Sequence, residues 1–250
     1  MARGLHNLGN TCYFNTAIQC LAHVPQITNK FLEDGPYEGP CEFTREYSLL
    51  MCEIWKKIDE PLDPRPLFTK FQERFPTFNS MQQHDTHEAV LCIIDAFEKS
   101  LGKEFINSIF YGNEDQVITY PGGSSTRTQE FMSLFVDSPL SEYNKYHILD
   151  NYVDEAGKTY HVAALQSIIK KTGECLTITF TQKCAVKDIP LEYMNCKIFA
   201  LVIHWGISNG GHYAAYTKHK GKWYLVDDET KTEVDTPDEN APCSMVWYKK

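Results

Sequence analysis

Apolar residues in the first hundred positions recur with the period of an α-helix. Phe14, Ala17, Ile18 and Leu21 fall at i, i+3, i+4 and i+7, and Phe43, Tyr47, Leu50, Met51, Ile54 and Trp55 repeat the pattern. Pro61, Pro64 and Pro66 break the chain, after which Phe68, Phe71 and Phe75 predict a shorter third helix ending before Pro76. Ser80 and Gln83 have capping-box spacing and open a fourth helix, whose core face runs through Ala89, Cys92, Ile93, Ala96 and Phe97 to a stop at Gly102. From about residue 105 the texture changes to short apolar or aromatic runs. Ile118 to Tyr120, Phe131 to Val136, Cys175 to Phe180, Ile198 to Trp205, His212 to Thr217, Trp223 to Val226 and Met245 to Tyr248 predict strands. Pro121-Gly122-Gly123, Ala156-Gly157, Thr172-Gly173 and Asn209-Gly210-Gly211 supply turns between them. Helices first and mostly antiparallel strands afterwards make an α+β arrangement, with the cleft between the halves as the place for a site.

Composition narrows the function classes. The 250 residues carry 24 Lys+Arg against 33 Asp+Glu, a net charge of −9, and 42% of them are hydrophobic. That length buries a substantial core as one large domain. The acidic excess argues against nucleic acid or an anionic membrane as partner, since both require basic patches, and favours a basic partner segment. The longest apolar run, Ile198 to Ile203, is strand-sized, and the N-terminal residues lack the apolar stretch of a signal peptide. Nine cysteines occur with no C-x-x-C pair, which fits neither a zinc ribbon nor a thioredoxin-type pair nor a dense secreted disulfide scaffold. The expectation is a soluble, intracellular, thiol-reduced monomer, cytoplasmic or nuclear.

One cysteine stands apart. Cys12 follows Asn7-Leu8-Gly9-Asn10-Thr11 and opens the first amphipathic helix, where backbone N–H groups and the helix dipole favour a thiolate and an irregular turn would present the sulfur. The alternative is a small core residue, the usual fate of a free cysteine. A nucleophilic thiol needs an oriented histidine. His212 follows Gly210-Gly211 and opens an apolar strand, with a second strand just beyond Lys218-His219-Lys220-Gly221. If those four residues form the hairpin loop, Thr217 pairs with Lys222 and His212 faces Asp227; a three-residue loop would bring Asp228 opposite instead. Against both stands a plain acidic turn at Asp227-Asp228-Glu229.

Together these residues resemble the ubiquitin-specific proteases, cysteine proteases that remove ubiquitin. Gly4 to Asn15, running on to Gln19, matches that family's cysteine box; Gln82-Gln83-His84-Asp85-Thr86-His87-Glu88 resembles its glutamine/aspartate box; and Gly210-Gly211-His212-Tyr213 to Tyr216 with Lys222 to Asp228 resembles its histidine box. All three occur in order and span nearly the whole chain. The resemblance implies a papain-like fold in one domain over 1–250, with a helical thumb over about 1–105 and a β-rich palm with fingers over about 106–250. It makes Cys12 the nucleophile, His212 the base and then acid, Asp227 the orienting carboxylate with Asp228 a helper or substitute, and Asn7 the side-chain donor of the oxyanion hole. Gln83, Asp85, Glu88, Gly210, Gly211 and Tyr213 fall in the ubiquitin-contacting boxes, with Asp85 and Glu88 on one helix face as the acidic surface for ubiquitin's basic tail. The implied activity is hydrolysis at the C-terminal glycine of ubiquitin; a non-catalytic ubiquitin-binding module and a protease for another ubiquitin-like modifier are the rivals.

Two departures from the family pattern stand out. The stretches corresponding to its zinc-binding C-x-x-C pairs are Tyr120 to Gly123 and Tyr152 to Gly157, without cysteine, so the expectation is no cofactor, no metal and short fingers closed by the Pro-Gly-Gly turn. His84 and His87 have helical ligand spacing but no third ligand nearby. Trp205 replaces the small or hydroxyl residue usual after His204, with packing under the glycine loop as its only evident use.

Overall fold

The computed structural model describes residues 2–79, 82–137, 139–207 and 210–250. Six helices come first: α1 Cys12–Ala22, α2 Pro25–Asp34, α3 Glu42–Ile54, α4 Arg65–Arg74, α5 Thr86–Leu101 and α6 Lys103–Phe110. Every residue of α1 is buried, which places it at the centre, between the other helices and the strand β9 (Gly210–His219) that it packs against. None of the described helices is long and apolar enough to cross a membrane.

Two sheets follow. β1 Gly112–Tyr120, β2 Gly123–Phe131, β4 His147–Val153 and β5 Thr159–Lys171 form a four-stranded antiparallel sheet in the order β2-β1-β5-β4. The larger sheet runs β11-β10-β9-β8-β12-β6-β3, built from β3 Ser133–Val136, β6 Cys175–Ala185, β8 Cys196–Ile207, β9, β10 Lys222–Asp227, β11 Thr230–Val234 and β12 Pro242–Lys249, with β7 Glu192–Tyr193 beside β8. Only β3 and β6 pair in parallel among these strands. Strand alternation splits the apolar residues between two cores: Trp247 joins Phe14, Tyr47, Phe71 and Phe97 on the helical side, while Val246 and Tyr248 join Ile178 and Leu201 on the other.

The helix-then-strand division holds, with corrections. α2 and α6 are additional helices, and α6 carries helix past residue 105, so the strands begin at Gly112. Gly102 does end α5, at φ +100°. The expected capping box does not open the fourth helix: Ser80 lies outside the described residues, and the helix starts at Thr86 with Asp85 as its N-cap. β2, β4, β5 and β11 escape the apolar-run criterion because they expose polar residues on both faces.

The tips of the smaller sheet lie at Tyr120 to Gly123 and Tyr152 to Gly157, the two stretches without cysteine singled out in the sequence. Pro121-Gly122 closes one hairpin, with Tyr120 paired to Gly123 and Gly122 at φ +98°. The other turn winds around Asp154, whose Oδ1 accepts from the N–H groups of Ala156 at 3.0 Å and Lys158 at 2.8 Å. Three tyrosines tie the tips together: the Tyr120 ring lies 5.3 Å from that of Tyr152 and 4.5 Å from that of Tyr160, and the Tyr160 hydroxyl donates to Asp154 Oδ2 at 3.1 Å.

Candidate active site

The site forms where the start of α1 meets β9 and the β10–β11 turn. The loop before α1 is wound around one side chain. Asn7 Oδ1 accepts from the backbone N–H of Gly9 at 2.9 Å and of Thr11 at 3.3 Å, and Thr11 Oγ1 accepts from Leu8 N–H at 2.9 Å. Gly9 at φ +96° and Asn10 at φ +54° make the reversal that this winding demands. The amide end of Asn7 is thereby aimed away from the loop, and Nδ2 donates to Asp228 Oδ2 at 2.7 Å. An amide NH₂ has two hydrogens, so one donor of this exposed residue is left for a ligand.

Cys12 begins α1 and is 2% exposed, so the loop does not present the sulfur openly as the sequence suggested. The backbone N–H groups of Tyr213, Tyr13 and Cys12 itself act on the thiol in favour of the thiolate. Burial acts more strongly in the other direction, aided by the nearby Asp228 charge, and the thiol sits above its ordinary pKa. The N–H groups at the helix start do favour the thiolate, and desolvation outweighs them.

His212 precedes Tyr213, whose backbone N–H favours the Cys12 thiolate. Its Nε2 shares a 2.5 Å hydrogen bond with Asp227 Oδ1, in a pair whose side chains are 42% and 39% exposed. The hairpin that brings them together differs from both registers considered above. Lys220 at φ +49° and Gly221 at φ +84° make a two-residue loop with His219 paired to Lys222, so Thr217 faces Tyr224. This ladder is shifted by two residues from the four-residue-loop register, an even number, so every side chain keeps its face. Asp227 meets His212 as a diagonal neighbour rather than as its direct partner.

Asp228 turns the other way. At φ +46° it sits in the β10–β11 turn, where its Oδ1 accepts from Asn15 Nδ2 at 2.7 Å and its Oδ2 from Asn7, while its carbonyl accepts from Leu5 N–H at 2.8 Å. Burial raises its pKa and the two amides oppose that shift. The next residue, Glu229, accepts through Oε1 from Asn7 N–H at 3.2 Å and pairs with His6 Nδ1 at 3.2 Å. The sequence assigned no role to Asn15 or Glu229. The available signal for the first was an Asn next to Phe14 on a helix whose apolar face is otherwise Phe14, Ala17, Ile18 and Leu21, and nothing marked the second.

The glutamine/aspartate box braces this assembly. Gln83 Oε1 accepts from Gly211 N–H at 2.6 Å and its Nε2 donates to Gly211 O at 2.5 Å, so the amide holds one residue of β9 by both its backbone groups. Asp85 Oδ1 caps α5 by accepting from His87 N–H at 2.7 Å and Glu88 N–H at 3.4 Å, while Oδ2 accepts from the Tyr213 hydroxyl at 3.0 Å. Asp85 and Glu88 are therefore not two carboxylates on one helix face; Asp85 is engaged at the cap, and Glu88 stands exposed on the first turn. Tyr213 is buried, its ring stacked on His204 at 4.0 Å. Gly210 and Gly211 open β9 beside them, and the Asn209 of the expected turn lies outside the described residues.

Among the described residues, His212, Asp227 and Asp228 are the only group with metal-ligand proximity, their ligand atoms within 4.8 Å of one another. Within this group His212 Nε2 and Asp227 Oδ1 share a hydrogen bond and Asp228 accepts from the two asparagine amides, an arrangement that suits proton transfer through the other imidazole nitrogen. A buried thiol, an imidazole held by a carboxylate and a loop offering N–H donors together suit acyl transfer.

Residues 3–247 match the family model of ubiquitin carboxyl-terminal hydrolase. The chain belongs to this family. Among curated members, it is 36% identical over 117 residues to ubiquitin carboxyl-terminal hydrolase 5 of Arabidopsis thaliana, covering 42% of this chain and 13% of that protein. It is 32% identical over 109 residues to ubiquitin carboxyl-terminal hydrolase 15 of Homo sapiens, covering 40% of this chain and 11% of that protein. The matched segments are thus a small fraction of these much longer relatives. In structure, this chain resembles Ubp8 in the SAGA Ubp8/Sgf11/Sus1/Sgf73 DUB module bound to ubiquitin aldehyde, with a TM-score of 0.78 at 18% identity over 99% of this chain and 69% of that one. The same module bound to monoubiquitin gives 0.79 at 19% identity, over 99% of this chain and 68% of that one. The α+β fold is that of this hydrolase family.

Proposed function

We propose that this hydrolase is a cysteine-type deubiquitinase, cutting isopeptide or peptide bonds at the C-terminal glycine of ubiquitin. The observation that carries the reading is the junction of α1 with β9: His212 bonds Asp227 on the strand that packs against the helix opened by Cys12, and the backbone N–H of the very next residue favours the Cys12 thiolate. With Nε2 bound to Asp227, Nδ1 of His212 takes the thiol proton as the sulfur attacks the glycine carbonyl carbon. The oxyanion is held by the second amide hydrogen of Asn7 and by backbone N–H groups around Cys12. Collapse of the tetrahedral intermediate breaks the C–N bond, and the departing amine takes the proton from His212. Water then loses a proton to His212 as it attacks the thioester, and Cys12 leaves as the thiol. Asp227 orients the imidazole and stabilises its charged form.

Asp228 acts on the other arm, holding Asn7. Gln83 and Asp85 position the strand that carries His212 and Tyr213, and Glu88 supplies an exposed negative charge toward the basic tail of ubiquitin. The relatives matched in structure are in complexes with ubiquitin aldehyde and monoubiquitin, which supports ubiquitin as the partner. Residues 1–250 serve as one catalytic domain, with the helices as one wall of the cleft and the strands as the other. All nine cysteines are free thiols, which suits a reducing intracellular compartment. The test is reaction with a ubiquitin bearing a C-terminal electrophile, followed by peptide mapping. The adduct is expected on Cys12 alone; labelling on another cysteine, or none under conditions that modify a known deubiquitinase, overturns the reading.

A further inference from the structure

Trp205 lacks the usual reason for an indole. It is 38% exposed and belongs to neither apolar core, and it stands in β8 directly opposite His212. The two rings are nearly parallel, 13° apart with centroids at 6.3 Å, within the range of offset stacking. The preceding rung, His204 with Tyr213, points to the opposite face and is buried against α5. The rung carrying His212 thus has Trp205 on one side and Asp227 at one end.

The backbone beneath Trp205 is closely packed. A Cβ at Gly211 would lie 2.2 Å from Trp205 O and 2.6 Å from His204 Nε2, so the two strands approach more closely than any side chain there would allow. Gln83 holds Gly211 by both its backbone groups, and Lys183 Nζ donates to Gly206 O at 2.5 Å. This closely packed strand pair holds a half-exposed indole against a half-exposed imidazole. One hydrogen bond at Nε2 sets the distance to Asp227 but leaves the ring free to swing about that contact.

We propose that Trp205 is a positioning residue, its indole stacking on the His212 ring and holding it in the plane that presents Nδ1 to Cys12. The proposal rests on the deubiquitinase reading for its kinetic consequence, but the stack itself does not. It extends the active site to a residue of this chain that departs from the family pattern.

Trp205→Ser and Trp205→Phe test it, both at a surface position where folding is retained, as thermal melts would check. With a ubiquitin C-terminal reporter, the Ser variant is expected to lose about two- to tenfold in kcat with KM unchanged, the range of an aromatic pair. The Phe variant is expected to recover to within about twofold of wild type. Independently of turnover, ¹³C-histidine NMR should show one sharp His212 ring signal in the wild-type and Phe proteins and a broadened or split one in the Ser protein. An unchanged His212 signal in the Ser variant overturns the proposal, as does unchanged kcat, or a raised KM at constant kcat, which would make Trp205 a substrate contact. Absent reporter hydrolysis by the wild-type protein would instead count against the deubiquitinase reading, and the NMR comparison would still decide the stack.

Discussion

Asn7 and Asp228 are predicted to act as one unit, and a double-mutant cycle measures this. Asp228 carries two amide donors at 2.7 Å, from Asn7 and Asn15, each a hydrogen bond to a charged group worth about 1.5–3 kcal/mol. Asn7→Ala removes the proposed side-chain oxyanion donor, an expected loss of about 10²–10³ in kcat. Asp228→Ala leaves the donor in place but releases it, so the loss should be of the same order and for the same reason. The double variant should then be little worse than either single one, a coupling energy of about 2–4 kcal/mol. Asp227→Ala works through His212 instead, and its loss should multiply with that of Asn7→Ala. The assay is kcat for a ubiquitin C-terminal reporter across the six proteins, with thermal unfolding to confirm that each is folded. Multiplicative losses for Asn7 and Asp228, reaching about 10⁴ or more together, would refute the assignment of Asp228 to the oxyanion arm.

Three further outcomes follow from the geometry. Gln83→Ala removes both bonds to Gly211 and should lower kcat/KM about 5- to 150-fold, from two bonds of about 0.5–1.5 kcal/mol each; wild-type kinetics would mean the grip is dispensable. Burial holds the Cys12 thiol above its ordinary pKa, so the protonated form dominates at neutral pH. Alkylation of Cys12 by iodoacetamide in the ubiquitin-free enzyme should therefore keep accelerating through pH 9, and a plateau below pH 7 would contradict the burial argument. At the tips of the smaller sheet, Tyr160→Ala should cost about 0.5–1.5 kcal/mol for each aromatic pair it breaks, read as a lowered unfolding midpoint, whereas a zinc chelator should leave both unfolding and reporter hydrolysis unchanged; a chelator-induced drop in either would point to a metal in place of the tyrosine stack.

The fold class was legible because the apolar period changes once along the chain. What escaped had specific causes. α2 buries only Ile27, Thr28 and Phe31 of its ten residues, too thin a stripe to register. α6 does carry Ile106, Ile109 and Phe110 on one face, but it follows immediately on a glycine that ends the helix before it. The strands of the smaller sheet are polar on both faces, so alternation is weak there. Within the site, the His212–Asp227 pairing was readable despite the wrong loop length, since a two-residue shift preserves the face. The start of α5 was not, because the side chain of Gln83 that suggested a capping box is engaged with Gly211, 128 residues away, and Asp85 caps in its place. The state of Cys12 depended on burial, which spacing along the chain does not reveal.

The most direct test of the central claim is steady-state hydrolysis of a ubiquitin C-terminal reporter by the wild-type chain and by Cys12→Ala. Measurable turnover by the first and none by the second, with ubiquitin still bound by both, is the predicted result. Turnover that survives the loss of Cys12 would contradict the account.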